Sequence, residues 1–190
     1  ISYAVPADAL EAACAVADHA LYVMLREHVL ATLMETRVGD AIPSPKGREA
    51  MAMRTERLDV PMSERVIVPH DTAAIAQAIR QAPGDIVLIL TASATSDPRD
   101  VAPEAVRAAG GRIEAFGMPV DPGNLLFIGD VAGKPVIGLP GCARSPALNG
   151  ADWVLERLIC GERLSQADIS AMGVGGLLKE IPTRPKPRAS

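Results

Sequence analysis

The sequence predicts an α/β fold, a three-layer α/β/α sandwich around a mostly parallel sheet, and three observations carry that expectation. Residues 86–90 (IVLIL) form an unbroken apolar run, the pattern of a strand buried on both faces by covering helices. From residue 29 to residue 161 strand candidates alternate with helical patterns, as stacked βαβ units do. Finally, 125–129 and 135–139 are two strand candidates joined by DVAGK. A connection that short cannot cross over between parallel strands, so it predicts an antiparallel edge hairpin.

Taken in order, residues 1–5 read as a short strand and 7–25, rich in Ala and Leu, as a helix. Residues 29–33 (VLATL) are the first strong strand candidate. The segment 38–47 (VGDAIPSPKG) carries two prolines and two glycines and reads as a loop. A helix is expected over 48–58 and a short strand over 65–68. Asp71 can cap the next helix, whose Ile75, Ala78, Ile79 and Ala82 form one apolar stripe. Pro83-Gly84 stops it before the central strand. A helix over 101–109, with Pro103 and Glu104 in its first turn, is closed by Gly110-Gly111. Then come a strand over 112–116, a turn-rich loop over 117–124, and the hairpin. After a loop over 140–145, Pro146 is expected to open a helix with Ala151, Val154, Leu155 and Leu158 on one face, ended by Gly161. A short helix and the basic, proline-rich PTRPKPR close the chain.

Composition narrows the function. Aromatic residues make up 3% and the net charge is −4, so neither base-stacking platforms nor a basic field for nucleic acid or an anionic membrane is present. Cys14, Cys142 and Cys160 are odd in number and show no CxxC spacing, which argues against a disulfide framework and fits a reducing cytoplasm. The sequence shows no run of membrane-spanning length and no signal peptide. Nor does it hold a GxGxxG fingerprint, a GxxxxGK[ST] loop or a Ser-His-Asp arrangement, so dinucleotide enzymes, nucleotide-triphosphate motors and hydrolases are disfavoured.

Three polar or Gly/Pro-rich loops fall where the carboxyl edge of the sheet is expected, the place where open α/β sheets bind ligands. They are 91–100, 118–124 and 140–145. The first presents Thr91, Ser93, Thr95, Ser96 and Asp97, hydroxyls and a carboxylate suited to a polyanion or a heterocycle. It also reads as an ordinary turn with Asp100 as a helix cap. Asp97 and Asp100 suit Mg²⁺ with substrate phosphates, or equally a surface carboxylate and a cap. Arg99 and Arg144 can pair with phosphate. Cys142 reads as a soft-metal ligand or reactive thiol, or as a small buried residue after a strand. His70 can meet an anion or simply face solvent ahead of its helix.

These residues carry a resemblance. LTASATSDPRDVAPE (90–104) resembles the signature TTGGTGxxPRDxTPE of the molybdopterin-binding domain family, shared by molybdopterin adenylyltransferase and molybdopterin molybdotransferase. VPHD (68–71) is similar to the family's VPDD, and MPVDPGN with KPVIGLPG is similar to its MKPGKP…KPVFGLPG stretch. The likeness runs in order from about residue 29 to residue 161. MPVDPGN, GLPGCARSP and MGVGGLL…EIPTRP further resemble a bacterial set that carries this domain at the C-terminus, behind another region. The sequence departs from the family where GGTG is replaced by Ala92, Ser93, Ala94 and Thr95, whose side chains crowd a site that glycine leaves open. The acidic loop after the first strand is reduced to VGDAIPSPKG, and GNPVS has become Gly141-Cys142-Ala143-Arg144-Ser145.

The resemblance implies binding of molybdopterin or the molybdenum cofactor in its biosynthesis or handling, with adenylyl or molybdenum transfer as the family's activities. The alternative is a non-catalytic carrier module that serves a fused or partner molybdenum-cofactor enzyme. It implies Asp100 and Asp97 as the catalytic pair, Asp100 also holding Mg²⁺ where that ion takes part. The cofactor-binding set it implies is Thr91, Ser93, Thr95, Ser96, Arg99, Pro122, Gly123, Asn124, Pro140, Gly141, Cys142 and Ser145. The ligand is then a pterin-phosphate small molecule, and self-association into a homo-oligomer is open. On this reading 1–27 is a junction to an upstream region, 28–163 the α/β domain, and 164–190 a C-terminal extension.

Overall fold

The computed structural model describes residues 24–173. Expectations for a strand over 1–5, for the helix up to residue 23, for Cys14 and for the basic C-terminal segment lie outside the described residues, and residues 24 and 25 are not helical. Six strands and five α-helices follow: β1 Ala31–Arg37, α1 Pro45–Arg57, β2 Val66–Pro69, α2 Thr72–Gln81, β3 Ile86–Leu90, α3 Val101–Ala108, β4 Arg112–Phe116, β5 Phe127–Val131, β6 Lys134–Leu139, α4 Gly150–Ile159 and α5 Gln166–Ser170. A turn of 3-10 helix, Gly141–Arg144, lies between β6 and α4.

The strands form one sheet in the order β2-β1-β3-β6-β5-β4. The pairs β1–β2, β1–β3 and β3–β6 are parallel, whereas β5 runs antiparallel to both β6 and β4. The expected hairpin is β5–β6, and β4 lies outside it at the sheet's edge. β3 shows why the centre is so apolar. Ile86, Leu88 and Leu90 face a core with Met51 of α1, Val154 and Leu158 of α4 and Ile169 of α5. Val87 and Ile89 face a second core with Ile75 and Ile79 of α2 and Ala105 and Val106 of α3. All five β3 residues are fully buried, so this is a three-layer sandwich with α1, α4 and α5 on one face and α2 and α3 on the other. Gly138 of β6 leaves room for the Phe127 ring, since a Cβ there would lie 1.8 Å from its Cε1.

Several boundaries move, each for a local reason. The first strand is not 29–33 but Ala31–Arg37. The N–H groups of Val29 and Leu30 donate to Asp85 Oδ2 instead of a ladder, while β2 extends the far end by pairing with residues 34–37. Glu35 is buried there because Arg65 Nε meets its Oε2 at 2.6 Å. The second helix begins at Pro45, three residues early, with Ser44 as its N-cap. This shortens the expected 38–47 loop. The last long helix does not open at Pro146. It opens at Gly150, where Asn149 and Asp152 form a reciprocal capping box. Asp71 caps α2 as expected, accepting from the Ala74 N–H at 3.0 Å. At α5 the Ser165 hydroxyl and N–H donate to Asp168 and hold its carboxyl below the usual carboxylate value.

Candidate functional site

The carboxyl ends of β1, β2, β3, β4 and β6 all open on one edge of the sheet, because parallel pairing fixes their direction and β4 is reversed twice through β5. The 91–100, 117–124 and 140–145 segments leave β3, β4 and β6 at that edge. β3 and β6 are neighbours, and their loops touch: Arg144 Nη2 donates to the Thr91 carbonyl at 2.6 Å. β4 stands three strands from β3, roughly 14 Å away at the usual strand spacing. Its loop packs instead on the start of α4. The Gly150 N–H donates to the Pro122 carbonyl at 2.8 Å. Gly123, at φ +137°, lies so close that a Cβ would fall 2.9 Å from Gly150 Cα. Pro122 and Gly123 thus pack against the start of α4, and Asn124 is exposed beside them.

The 91–100 loop is folded on itself. Thr91 and Thr95 are buried; the Thr91 hydroxyl donates to the Ser93 carbonyl at 2.6 Å and lies 3.4 Å from Thr95 Oγ1. Asp100 occupies the N-cap position of α3 but makes no side-chain cap. Its Oδ2 turns back and accepts the N–H groups of Ser96 (2.7 Å) and Asp97 (3.0 Å). That corrects the cap expectation: the carboxylate shapes the loop rather than the helix. Asp97 accepts from the Arg99 N–H at 2.7 Å, and the Arg99 guanidinium is largely exposed. None of these loop residues has a positive φ, so replacing the family's glycines costs no backbone strain. Ser93 and Ala94 are exposed, and among the described residues nothing accepts from their N–H groups.

His70, at the end of β2, closes this corner. Its Nδ1 lies 2.9 Å from the Thr36 hydroxyl at the end of β1, and its Nε2 lies 2.9 Å from Ser93 Oγ. Thr36 Oγ1 also accepts the Ala92 N–H at 2.6 Å. Thr36 is absent from the expected site residues, and His70, which the sequence offers as able to meet an anion, is absent from the binding set that the resemblance implies.

On the other side of Arg144, a groove of about 660 Å³ runs between the first turns of α1 and the 140–146 segment, lined by Lys46, Glu49, Met53, Gly141, Cys142 and Ser145 among others. Cys142 is exposed, not the small buried residue that was its alternative reading, and its Sγ accepts from Asn149 Nδ2 at 3.1 Å. Pro140 is buried and its carbonyl accepts the Ala143 N–H.

A single residue that sequence reasoning passed over holds this wall in place. Arg54 of α1 is buried and uses all five of its N–H donors. Nε meets Asp152 Oδ1 at 2.6 Å; Nη1 donates to the Ala50 and Ala143 carbonyls, and Nη2 to those of Ser145 and Ala147. Only an arginine offers that planar fork.

The family model described as a probable molybdopterin binding domain matches residues 46–159, more than half of the chain. The chain belongs to this family. Two solved structures are similar to this molybdopterin-binding domain. A molybdopterin biosynthesis MoeA protein from Pyrococcus horikosii is 21% identical with a TM-score of 0.49, over 76% of this chain and 37% of that one. Molybdenum cofactor biosynthesis protein B is 18% identical with a TM-score of 0.48, over 72% of this chain and 92% of that one. The chain thus spans well under half the length of the first. No curated protein matches it.

As a metal site the loop is sparse. Among the described residues no group of three or more His, Cys, Asp or Glu side chains could hold an ion. Asp97 and Asp100 each spend one oxygen on loop N–H groups. The corner is rich in donors instead, which suits an anion.

Proposed function

We propose that this domain binds molybdopterin, or the molybdenum cofactor built on it, through the ligand's phosphate, in cofactor biosynthesis or handling. The observation that carries this is the run of unclaimed N–H groups at Ser93, Ala94 and Thr95, the first two on exposed residues. They lie on the sheet's carboxyl edge, in the loop that resembles the family's signature. The flanking N–H groups at Ala92, Ser96 and Asp97 are already satisfied within the protein, so the open run between them marks where an acceptor belongs. Phosphate, with several acceptor oxygens and a charge, is the group that fits such backbone donors. Arg144 lies between this corner and the groove over α1, and the groove's volume is in the range that accepts a small heterocyclic ligand. Gly141, Cys142 and Ser145 would then meet the ring system. Mg²⁺ arriving with phosphate would meet Asp97 and Asp100, since the ion takes one or two carboxylates and keeps its waters.

The carrier version of this reading is favoured over group transfer by one observation: the exposed side chains of Ala92 and Ser93 stand where the family's signature has glycine, and obstruct close approach of a ligand to the loop's backbone. A fused or partner molybdenum-cofactor enzyme would receive the ligand. Titrating molybdopterin into the purified chain, followed by fluorescence, tests binding; no saturable change overturns the proposal. Incubation with molybdopterin, ATP and Mg²⁺ tests the carrier version, for which AMP transfer should not exceed a protein-free control.

A further inference from the structure

The hydrogen bonds around His70 fix where its ring proton sits, and with it what Ser93 can do. Thr36 is 2% exposed, so its hydroxyl proton needs an acceptor inside the protein. Its oxygen already accepts the Ala92 N–H. Among the described residues the one acceptor in reach of its proton is His70 Nδ1, 2.9 Å away. Nδ1 therefore carries no proton, and in the neutral ring the proton is on Nε2. Nε2–H then donates to Ser93 Oγ across 2.9 Å. With its oxygen occupied as an acceptor, the exposed Ser93 hydroxyl keeps its own proton, for which the described residues offer no acceptor. That proton joins the free N–H groups of Ser93 and Ala94.

We infer that Thr36, His70 and Ser93 form a one-way donor chain that turns the Ser93 side chain into a phosphate-binding hydroxyl. This deepens the phosphate reading above and rests on it. It also excludes the other use of a Ser–His pair. A nucleophilic serine needs a bare ring nitrogen to take its proton, and here the nitrogen facing Ser93 is the protonated one. The corner binds an acceptor-rich anion, a phosphate monoester, and does not attack it. Where the family places glycine backbone against phosphate, this chain uses a side chain oriented from β1 and β2. His70 is a positioning residue in this scheme: it meets the ligand through Ser93.

The test uses the whole ¹⁵N-labelled chain with inorganic phosphate as the probe. Long-range ¹H–¹⁵N correlation of the imidazole at about pH 8, where an ordinary histidine is neutral, should show the proton on Nε2. A proton on Nδ1 overturns the chain of donors, and needs no variant to be seen. Phosphate should shift the Ser93 and Ala94 amides saturably. Ser93→Ala and His70→Asn should each weaken phosphate binding about tenfold, the loss expected for one hydrogen bond to a charged group. His70→Gln, whose amide N–H reaches the place of Nε2–H, should stay within about threefold of wild type on the same scale. A His70→Gln as weak as His70→Asn overturns the proposal. Silent Ser93 and Ala94 amides overturn it too, even if molybdopterin binds. If phosphate moves these amides but molybdopterin binds no tighter than phosphate, the donor chain stands and the molybdopterin reading fails.

Discussion

Two loops leave neighbouring strands at the same edge of the sheet and differ in what they leave unpaired. The segment after β6, from 140 to 149, is pinned from outside by the buried Arg54 fork and by the Asn149–Asp152 capping box. The segment after β3, from 91 to 100, is braced at its start by Thr36, His70 and Arg144 and folded by its own Thr91, Thr95 and Asp100, and it leaves N–H groups at its tip open. A wall anchored by a buried arginine with every donor used gives a fixed boundary, whereas a tip with open N–H groups keeps donors free for a ligand. Stability and binding should therefore separate along the line between the two loops.

The sharpest way to break that contrast is Arg54→Met. It leaves the Asp152 carboxylate buried without its ion pair and removes the side-chain donor from the carbonyls of Ala143, Ser145 and Ala147. Loss of one member of a buried pair costs about 3–5 kcal/mol, read by chemical denaturation. Asp152→Ala added to it should cost much less than the two single changes summed, because the orphaned charge is gone. A loss under about 0.5 kcal/mol, the scale of an ordinary surface change, would show that the wall is not clamped there.

Next in size is Gly123→Ala. Its φ of +137° disfavours any side chain, and the new Cβ would lie 2.8 Å from the Gly150 nitrogen. Strain of this kind costs about 1–3 kcal/mol. If Gly123 packs the start of α4 and does not meet the ligand, the folded fraction should bind molybdopterin with unchanged affinity. A stable variant that binds weakly would return the 117–124 loop to the site.

What the sequence made legible follows from how local each signal is. The run IVLIL names the central strand because both faces of β3 are buried, and Gly110 and Gly161 mark the ends of α3 and α4 by their left-handed turns. Glu35, Thr36 and Arg37 look like the polar start of a loop, yet they are strand. Pairing with β2 and the Arg65 contact, both distant in the chain, outweigh their polarity. The site was half legible for the same reason. The hydroxyl loop is a continuous stretch. The role of His70 depends on partners 34 and 23 residues away, and that of Arg54 on main-chain carbonyls, which no side-chain pattern encodes.

Asp100→Ala tests the contacts that the 91–100 loop makes within itself. It strips the shared acceptor from the Ser96 and Asp97 N–H groups, which water can reach, so stability should fall by only about 1 kcal/mol. Binding should suffer more than stability, because the tip loses its shape beside Ser93 and Ala94. Asp100→Asn keeps an acceptor oxygen and should recover most of the affinity for molybdopterin in the fluorescence titration. Equal affinity in wild type and Asp100→Ala would mean that the loop's shape is set elsewhere.

The smallest effect on stability is expected at Cys142. Its thiol is exposed and its one polar contact is the Asn149 amide at 3.1 Å, an atom whose neighbour Oδ1 does the capping of α4. Cys142→Ala should therefore change stability by less than roughly 0.5 kcal/mol, as for a surface change away from any structural feature. The thiol is nonetheless placed to report on the groove, since it lines the wall opposite Lys46 and Met53. Iodoacetamide should label Cys142 in the native protein and the half-buried Cys160 more slowly, as peptide mapping would show. If the proposed pose holds, inorganic phosphate at Ser93 and Ala94 should leave the Cys142 rate unchanged, whereas molybdopterin, with its ring system in the groove, should slow it. Equal protection by both would merge the two loops into one contact, and no protection by molybdopterin would take the ring out of the groove.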